Sequence, residues 1–352
     1  MSRASWPVAG HDGSAREPGR AGAMKYVARR GGLFLITLAA ALTFNFFLPR
    51  LMPGNPAIDM LNRLESKGHL GPQALHTIEI ALGLNSHTTL LHQFVQYLGN
   101  SATGNFGISY TFFPDPVSTM VIQAVPWTLG LVGMTTIIAF VLGTLIGLIS
   151  AWFRGGRLDS ALPPLFVILS GFPYFWFALL CILLFGVTLN WLPVSGGYDT
   201  SLLPGLDWSF IGSVISHSIL PALTIVLTSI GGWTLTMRNN TVTVVAEDYV
   251  RMARAKGVAE WKIMWHYAGR NAMLPNLTGF GIQLGFVVSG AVLVEYVFNY
   301  PGLGWMLLDA VSNQDFPLMQ ALFLMITVAV LVAVFAVDLL TAVLDPRTRD
   351  AG

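Results

Sequence analysis

Long apolar stretches alternate with short polar ones along this chain. A bilayer core requires about 20 apolar residues of helix. Six stretches meet that length, at about 32–52, 126–153, 161–189, 213–237, 277–298 and 319–343. Each is nearly free of charge, with Asp338 near the end of the sixth as the main exception. The pattern predicts an all-α polytopic membrane protein with six transmembrane helices.

The polar residues between these stretches are asymmetric. Of the 19 Lys and Arg residues, six precede the first stretch and two, Arg154 and Arg157, lie between the second and third. Six more lie between the fourth and fifth, and Arg347 and Arg349 follow the sixth. Sixteen of the 19 therefore fall on one side. The positive-inside rule puts that side, with both termini, in the cytoplasm. Composition agrees: 11% of residues are charged, the mean hydropathy is +0.63 and the net charge is +1. A soluble surface needs roughly a quarter of residues charged. Nothing in the charge balance points to nucleic acid.

Residues 1–24 are rich in Gly, Ala, Pro, Ser and Arg and read as a disordered cytoplasmic tail. Met24 is a candidate alternative start. The basic cluster of Lys25, Arg29 and Arg30 before an apolar stretch also fits a signal peptide. The length of that stretch and the five that follow favour a span instead. The remainder, 25–352, reads as one transmembrane domain. Within it the region 53–125 is a long external loop, where GPQALHTIEIALGL and LLHQFVQYLG have the spacing of short amphipathic helices. His69, His76, His87 and His92 lie in this loop, but their spacing matches no metal-ligand signature. The single cysteine, Cys181, reads as a small buried hydrophobe.

Inside the apolar stretches, Gly143-Thr-Leu-Ile-Gly147 and Gly281-Ile-Gln-Leu-Gly285 allow close helix approach. Pro163, Pro164, Pro173, Pro221 and Pro275 mark positions where spans bend or end. Few ionisable groups lie at membrane depth, so a proton or ion relay has no obvious carrier.

The cytoplasmic loop at 238–276 carries the sharpest signal. Asp248 can cap a helix through YVRMARAK, which Gly257 ends. A second helix, from near Val258 to Pro275, places Trp261, Met264, Trp265, Ala268 and Ala272 on one face. Such a pair either rests on the membrane interface or docks in a groove of a soluble partner.

The stretch DYVRMARAKG…RNAMLPNL resembles the coupling loop of ABC-importer permeases, in the form seen in the dipeptide/oligopeptide (peptide/nickel) branch. Gly257 matches the loop's glycine and Ala253 its second alanine, while Arg251 and Met252 replace its glutamate and first alanine. Pro301-Gly302-Leu303-Gly304, Asp315-Phe316-Pro317, Asp338 and Leu344-Asp345-Pro346-Arg347 resemble the last loop and span of the same branch. Gly104–Ser109 with Pro116-Val117 is a weaker third match. The likeness covers 25–350 and is nearest to the first-listed permease, the B-type subunit with a long external loop.

The resemblance implies a methionine-importer-like fold and a heterodimer with a second homologous permease. It also implies two ATP-binding subunits and an extracytoplasmic solute-binding protein, in a bacterial cytoplasmic membrane. ATP and Mg would be held by the partner subunits, since this chain has no G-x-x-x-x-G-K-[ST] loop and no catalytic constellation. It assigns ATPase coupling to Asp248, Tyr249, Arg251, Ala253, Arg254, Lys256, Gly257 and Trp261. Pro301, Gly302, Leu303 and Gly304 are expected to face the binding protein, as is the loop at 53–125. Peptides are the expected substrate, with nickel, haem-like compounds and glycosides as alternatives in the same branch. A secondary transporter or channel, and an integral membrane enzyme, remain as other classes.

Overall fold

The computed structural model describes residues 20–51, 89–287 and 291–344. Residues 1–19 of the predicted tail, the first helical stretch of the predicted external loop, and His69, His76 and His87 lie outside them. So do residues 345–352. Among the described residues the regular elements are helices, with one antiparallel bridge between Ile108 and Pro116. Helix α1 (Arg20–Leu51) begins within the predicted tail. LLHQFVQYLG is helical as predicted, in α2 (Leu90–Thr103), closed by Gly104 at φ 70°.

Among the described residues, four helices are long and apolar enough to cross a membrane: α1 over Ala28–Leu48, α3 (Val117–Trp152), α6 (Trp208–Val245) and α11 over Phe316–Ala336. The full α11 is Phe316–Leu344. The third predicted span is two helices, α4 (Arg157–Ser170) and α5 (Tyr174–Thr188), bent by 100°. Pro173 sits at the start of α5 and pushes its neighbour out of helical geometry. The fifth predicted span is helical to Phe286 in α8 (260–286) and again in α9 (Val292–Val297). Hydropathy alone does not register the bend between α4 and α5. Two short helices complete the chain, α7 (Asp248–Ala255) and α10 (Leu303–Ser312).

Glycine sets the closest packing. A Cβ on Gly143 would fall 2.5 Å from Cβ of Trp233 and 2.9 Å from the Ile230 carbonyl. One turn on, a Cβ on Gly147 would strike the Thr234 carbonyl and reach Met237 at 2.8 Å. The predicted small-residue pattern is therefore the seam along which α3 lies parallel to α6. Gly231 lies the same way against the Phe166 carbonyl and Ser170 on α4. Gly285, from the second pattern, meets Ala333 of α11. Asn276 on α8 donates to Thr144 Oγ1 on α3 at 3.1 Å. Asn45 ties α1 to the rest by donating to the Tyr97 hydroxyl (3.0 Å) and the Gln320 carbonyl (2.8 Å). Cys181 is buried, as its apolar setting predicts.

One end of the bundle gathers Arg154, Arg157, Arg238 and the cations of α7 and early α8. It is called the basic end here, and the opposite one the distal end. With about 1.5 Å of rise per residue, the 38 residues of α6 exceed a hydrocarbon core of about 30 Å. The ends of the long helices therefore stand clear of it, and the candidate sites are built there.

Candidate functional site

At the basic end, α7 is a short amphipathic helix. Val250 and Ala253 are buried with Ile263, against Trp152 at the end of α3 and Val258. Its opposite face is open: Asp248, Tyr249, Arg251, Met252, Arg254 and Lys256 are exposed. Asp248 is the first helical residue and does not cap; Glu247 holds that place without a side-chain bond. The acidic first turn still favours the helix through its dipole. Gly257 follows the helix at φ 74°, a left-handed conformation that costs other residues about 1–2 kcal/mol. No other atom lies within 4 Å of where its Cβ would be, so Gly257 is needed for its backbone and not for space.

The second helix of the loop departs from the prediction. It begins at Glu260 and does not stop at Pro275, which lies inside α8. The loop helix and the fifth predicted span are thus one rod. The predicted face also splits. Ala268 and Ala272 are buried, but Trp261 and Trp265 are exposed. Residues Ile263–Gly269 wind as a π-helix, which inserts one residue and turns the buried face onto Ile263, Ala268, Ala272 and Asn276. A 3.6-residue period cannot anticipate that step. Gly269 makes room for it: a Cβ there would fall 2.8 Å from the Met264 carbonyl and 3.1 Å from Leu148.

Two side-chain contacts hold α7 on this rod. Asn271 donates to the Tyr249 hydroxyl at 2.7 Å, and that hydroxyl donates to the Tyr267 carbonyl at 3.4 Å. Arg254 pairs with Glu260 at 3.1 Å and lies 5.3 Å from the Trp152 ring. Of the predicted coupling residues, Ala253 thus packs inward, while Tyr249 and Arg254 brace the loop. Asp248, Arg251, Lys256 and Trp261 face outward with Met252.

At the distal end the structure assembles a second site. Glu295 on α9 is fully buried, and no Lys or Arg is paired with it among the described residues. Its carboxylate accepts from Thr128 Oγ1 (2.9 Å) and from the backbone N–H groups of Gly304 (2.7 Å) and Trp305 (3.3 Å). Thr128 accepts in turn from the Leu303 N–H at 2.7 Å. The carboxylate therefore caps the positive end of α10. Hydrogen bonds to a charged acceptor contribute about 1.5–3 kcal/mol each. Both glycines of the PGLG stretch crowd this group, and Gly304 also lies against α9, where a Cβ would fall 2.6 Å from Val292 Cα. A Cβ on Gly302 would strike Glu295 and lie 2.6 Å from Thr128 Oγ1; one on Gly304 would lie 2.9 Å from Glu295 Oε2.

Gly302, Leu303 and Gly304 are buried and Pro301 is half-buried. These residues, expected to face a binding protein, form an interior anchor within the single chain. Pro301 packs on the loop 189–207, where a Cβ on Gly197 would lie 2.8 Å from its Cδ. That loop is held further by Tyr198 stacking on Trp127 and by the Gly196 N–H donating to the Phe298 carbonyl at 2.8 Å.

The Asp315 cluster adjoins this site. Asp315 is buried and caps α11 by accepting from the Leu318 N–H at 3.2 Å. It also accepts from Ser109 Oγ and the Thr111 N–H. Gly107 (φ 79°) turns the chain so that its carbonyl accepts from the Val117 N–H at 3.1 Å. Burial and the neighbouring carboxylate push the Tyr110 hydroxyl above its ordinary range. Glu295 and Thr128 were missed from sequence. An acidic residue inside an apolar span was the available signal.

Comparison with known proteins bears on both ends. Residues 143–350 match the model of the family described as the binding-protein-dependent transport system inner membrane component. That match begins at Gly143, runs through the seam and takes in α7, α10 and α11. The chain belongs to this family. The di/tripeptide transport system permease protein of Pseudomonas aeruginosa is 36% identical over 93% of this chain and 99% of its own length. The dipeptide transport system permease protein of Lactococcus lactis is 32% identical over 93% and 99%. The oligopeptide transport system permease protein of Bacillus subtilis is 32% identical over 92% and 98%. The family is one of membrane transport components, so this chain is a multi-pass transport subunit and not an enzyme.

Proposed function

We propose that this chain is the permease subunit of an ATP-driven peptide importer. The observation that carries the reading is a full-length likeness to relatives named for di-, tri- and oligopeptide transport. In this reading the chain pairs with a second homologous permease, two ATP-binding subunits dock below, and a solute-binding protein delivers peptide from outside. The basic end is cytoplasmic and the distal end extracytoplasmic, with the bent pair α4–α5 counting as one of six spans and α8 with α9 as another.

The exposed face of α7, with Asp248, Arg251, Met252 and Lys256, is the surface offered to an ATP-binding subunit. Nucleotide binding closes the ATPase pair, and α7 moves with it. Because α7 is bolted to the rod α8, that motion passes into the bundle and drives alternating access. ATP and Mg are held on the partners.

The test is reconstitution. The chain, co-expressed with the products of neighbouring genes, should co-purify with an ATPase pair and accumulate labelled di- or tripeptide in proteoliposomes only with ATP and binding protein. Accumulation without an ATPase would overturn the reading in favour of a secondary transporter.

A further inference from the structure

We propose that Glu295 is a positioning residue of the transport cycle: from α9 it holds Thr128 and the start of α10 at the point where α3 changes from α to π winding, so that α10 and the first part of α3 turn as one unit about that point. This rests on the transport reading above. Thr128 is the last α-helical residue before the π turn Leu129–Gly133. Beyond it, Val117, Val121 and Ala124 share one apolar cluster with Leu303, Met306, Ala310 and Leu318. Within the turn, Leu131 and Val132 belong to a second cluster with Ala178, Leu220 and Val294 of α9. Further on, the glycine seam locks α3 to α6. Two packed bodies therefore meet along α3, and Thr128–Glu295 lies where they join.

The glycine side of the turn is open, while Leu131 and Val132 hold its other side in the core. A π turn carries one residue more than the α-helix on either side and is commonly a site of functional change. No atom lies within 4 Å of a Cβ on Gly130, and only Val287 Cγ1, at 3.7 Å, approaches one on Gly133. The knot is the opposite. A buried carboxylate without a cation loses much solvation, and an apolar side chain of similar size would fill the space more cheaply. What only the carboxylate does is hold a hydroxyl of α3 and two backbone N–H groups of α10 in fixed directions.

The experiment uses the assembled transporter in proteoliposomes, with Glu295→Ala, Glu295→Gln and a deletion of Gly130. The deletion turns the π turn into α-helix and keeps both faces of α3 in register. Glu295→Ala should lower peptide moved per ATP hydrolysed by about tenfold. Glu295→Gln keeps an acceptor for the Gly304 N–H and should restore most of that ratio. A fall in transport and hydrolysis by the same factor, or an unchanged ratio, overturns the proposal. If Glu295→Ala does not assemble, Thr128→Val decides by the same criterion.

A second readout does not depend on peptide. Nitroxides at Ser312→Cys and Thr243→Cys, in a Cys181→Ala chain, report the distance between the two bodies. Nucleotide should shift that distance in the parent and leave it fixed after the Gly130 deletion. An equal shift in both overturns the hinge. A parent that shows the shift but moves no peptide leaves the hinge standing and fails the peptide reading instead.

Discussion

Arg238, near the end of α6, holds Asp159, in the first turn of α4, with two bonds of 2.6 and 3.0 Å. Asp159 also accepts from the Gly155 N–H at 3.0 Å, so one carboxylate fixes the α3–α4 turn and the α6 end together. Its side chain is 7% exposed and that of Arg238 is 24% exposed. Removing either partner strands the other in a half-dry site. Arg238→Ala should cost about 1–3 kcal/mol of stability. Thermal unfolding of Arg238→Ala, Asp159→Asn and the double variant checks this. The double should cost less than the sum of the singles.

The glycine seam makes a second prediction. Gly147→Val drives two methyl groups into the backbone of α6, and overpacking of this kind costs about 3 kcal/mol. Gly130→Val, on the same helix but in open space, should cost far less. Melting curves in nanodiscs separate the two. Equal losses would mean that α3 and α6 are not in close contact.

At the basic end, packing and docking separate by residue. Met252→Asp should abolish co-purification of the ATP-binding subunits and leave the chain folded, because Met252 faces outward. Val250→Asp should destroy the fold of the loop itself, because Val250 is fully buried. Affinity capture alongside circular dichroism reads both.

Gly257 gives a sharper test of coupling. Gly257→Val is strained by about 1–2 kcal/mol, because the backbone is left-handed there. It should reduce peptide transport while the chain still inserts in the membrane and the ATPase still turns over. Gly257→Asn tolerates that backbone better and should retain most transport. Wild-type transport by Gly257→Val would sink the coupling role.

At the distal end, Asp315→Ala removes a helix cap and should cost about 1–2 kcal/mol. Asp315→Asn keeps one acceptor and should cost less. Ser109→Ala should cost less in an Asp315→Ala background than alone, since one of its two bonds goes to Asp315 and the other, from the Phe112 N–H, is lost in either case.

Much of this architecture was legible in the chain. Apolar length located the helices, and charge placement marked the basic end, because lipid forbids both polar backbone and stray cations. The Gly143–Gly147 spacing pointed to a seam that exists, and Gly257 to a helix stop that exists. Three things were not legible. The π turn at 263–269 moved Trp261 and Trp265 off the predicted face, and no fixed period carries an inserted residue. Pro275 predicts a helix end, but the rod continues through it as α8. Ser109 and Asp315 stand 206 residues apart, and only folding brings their two stretches together. Glu295 is visible in the sequence as a lone carboxylate in an apolar stretch, which requires internal partners, but only the fold names them as Thr128 and the start of α10.

The unbroken run of α8 from Glu260 to Phe286 also sets a rule for editing this chain. A flexible joint absorbs an added or lost residue. A rod does not: each residue inserted into it rotates everything beyond by about 100°. An insertion just after Lys262 would swing Asn276 away from Thr144 and Gly285 away from Ala333. Spacing within the rod is therefore fixed to the residue, as it is in the short link at 256–259, where Gly257 stays left-handed and Arg254 reaches across to Glu260.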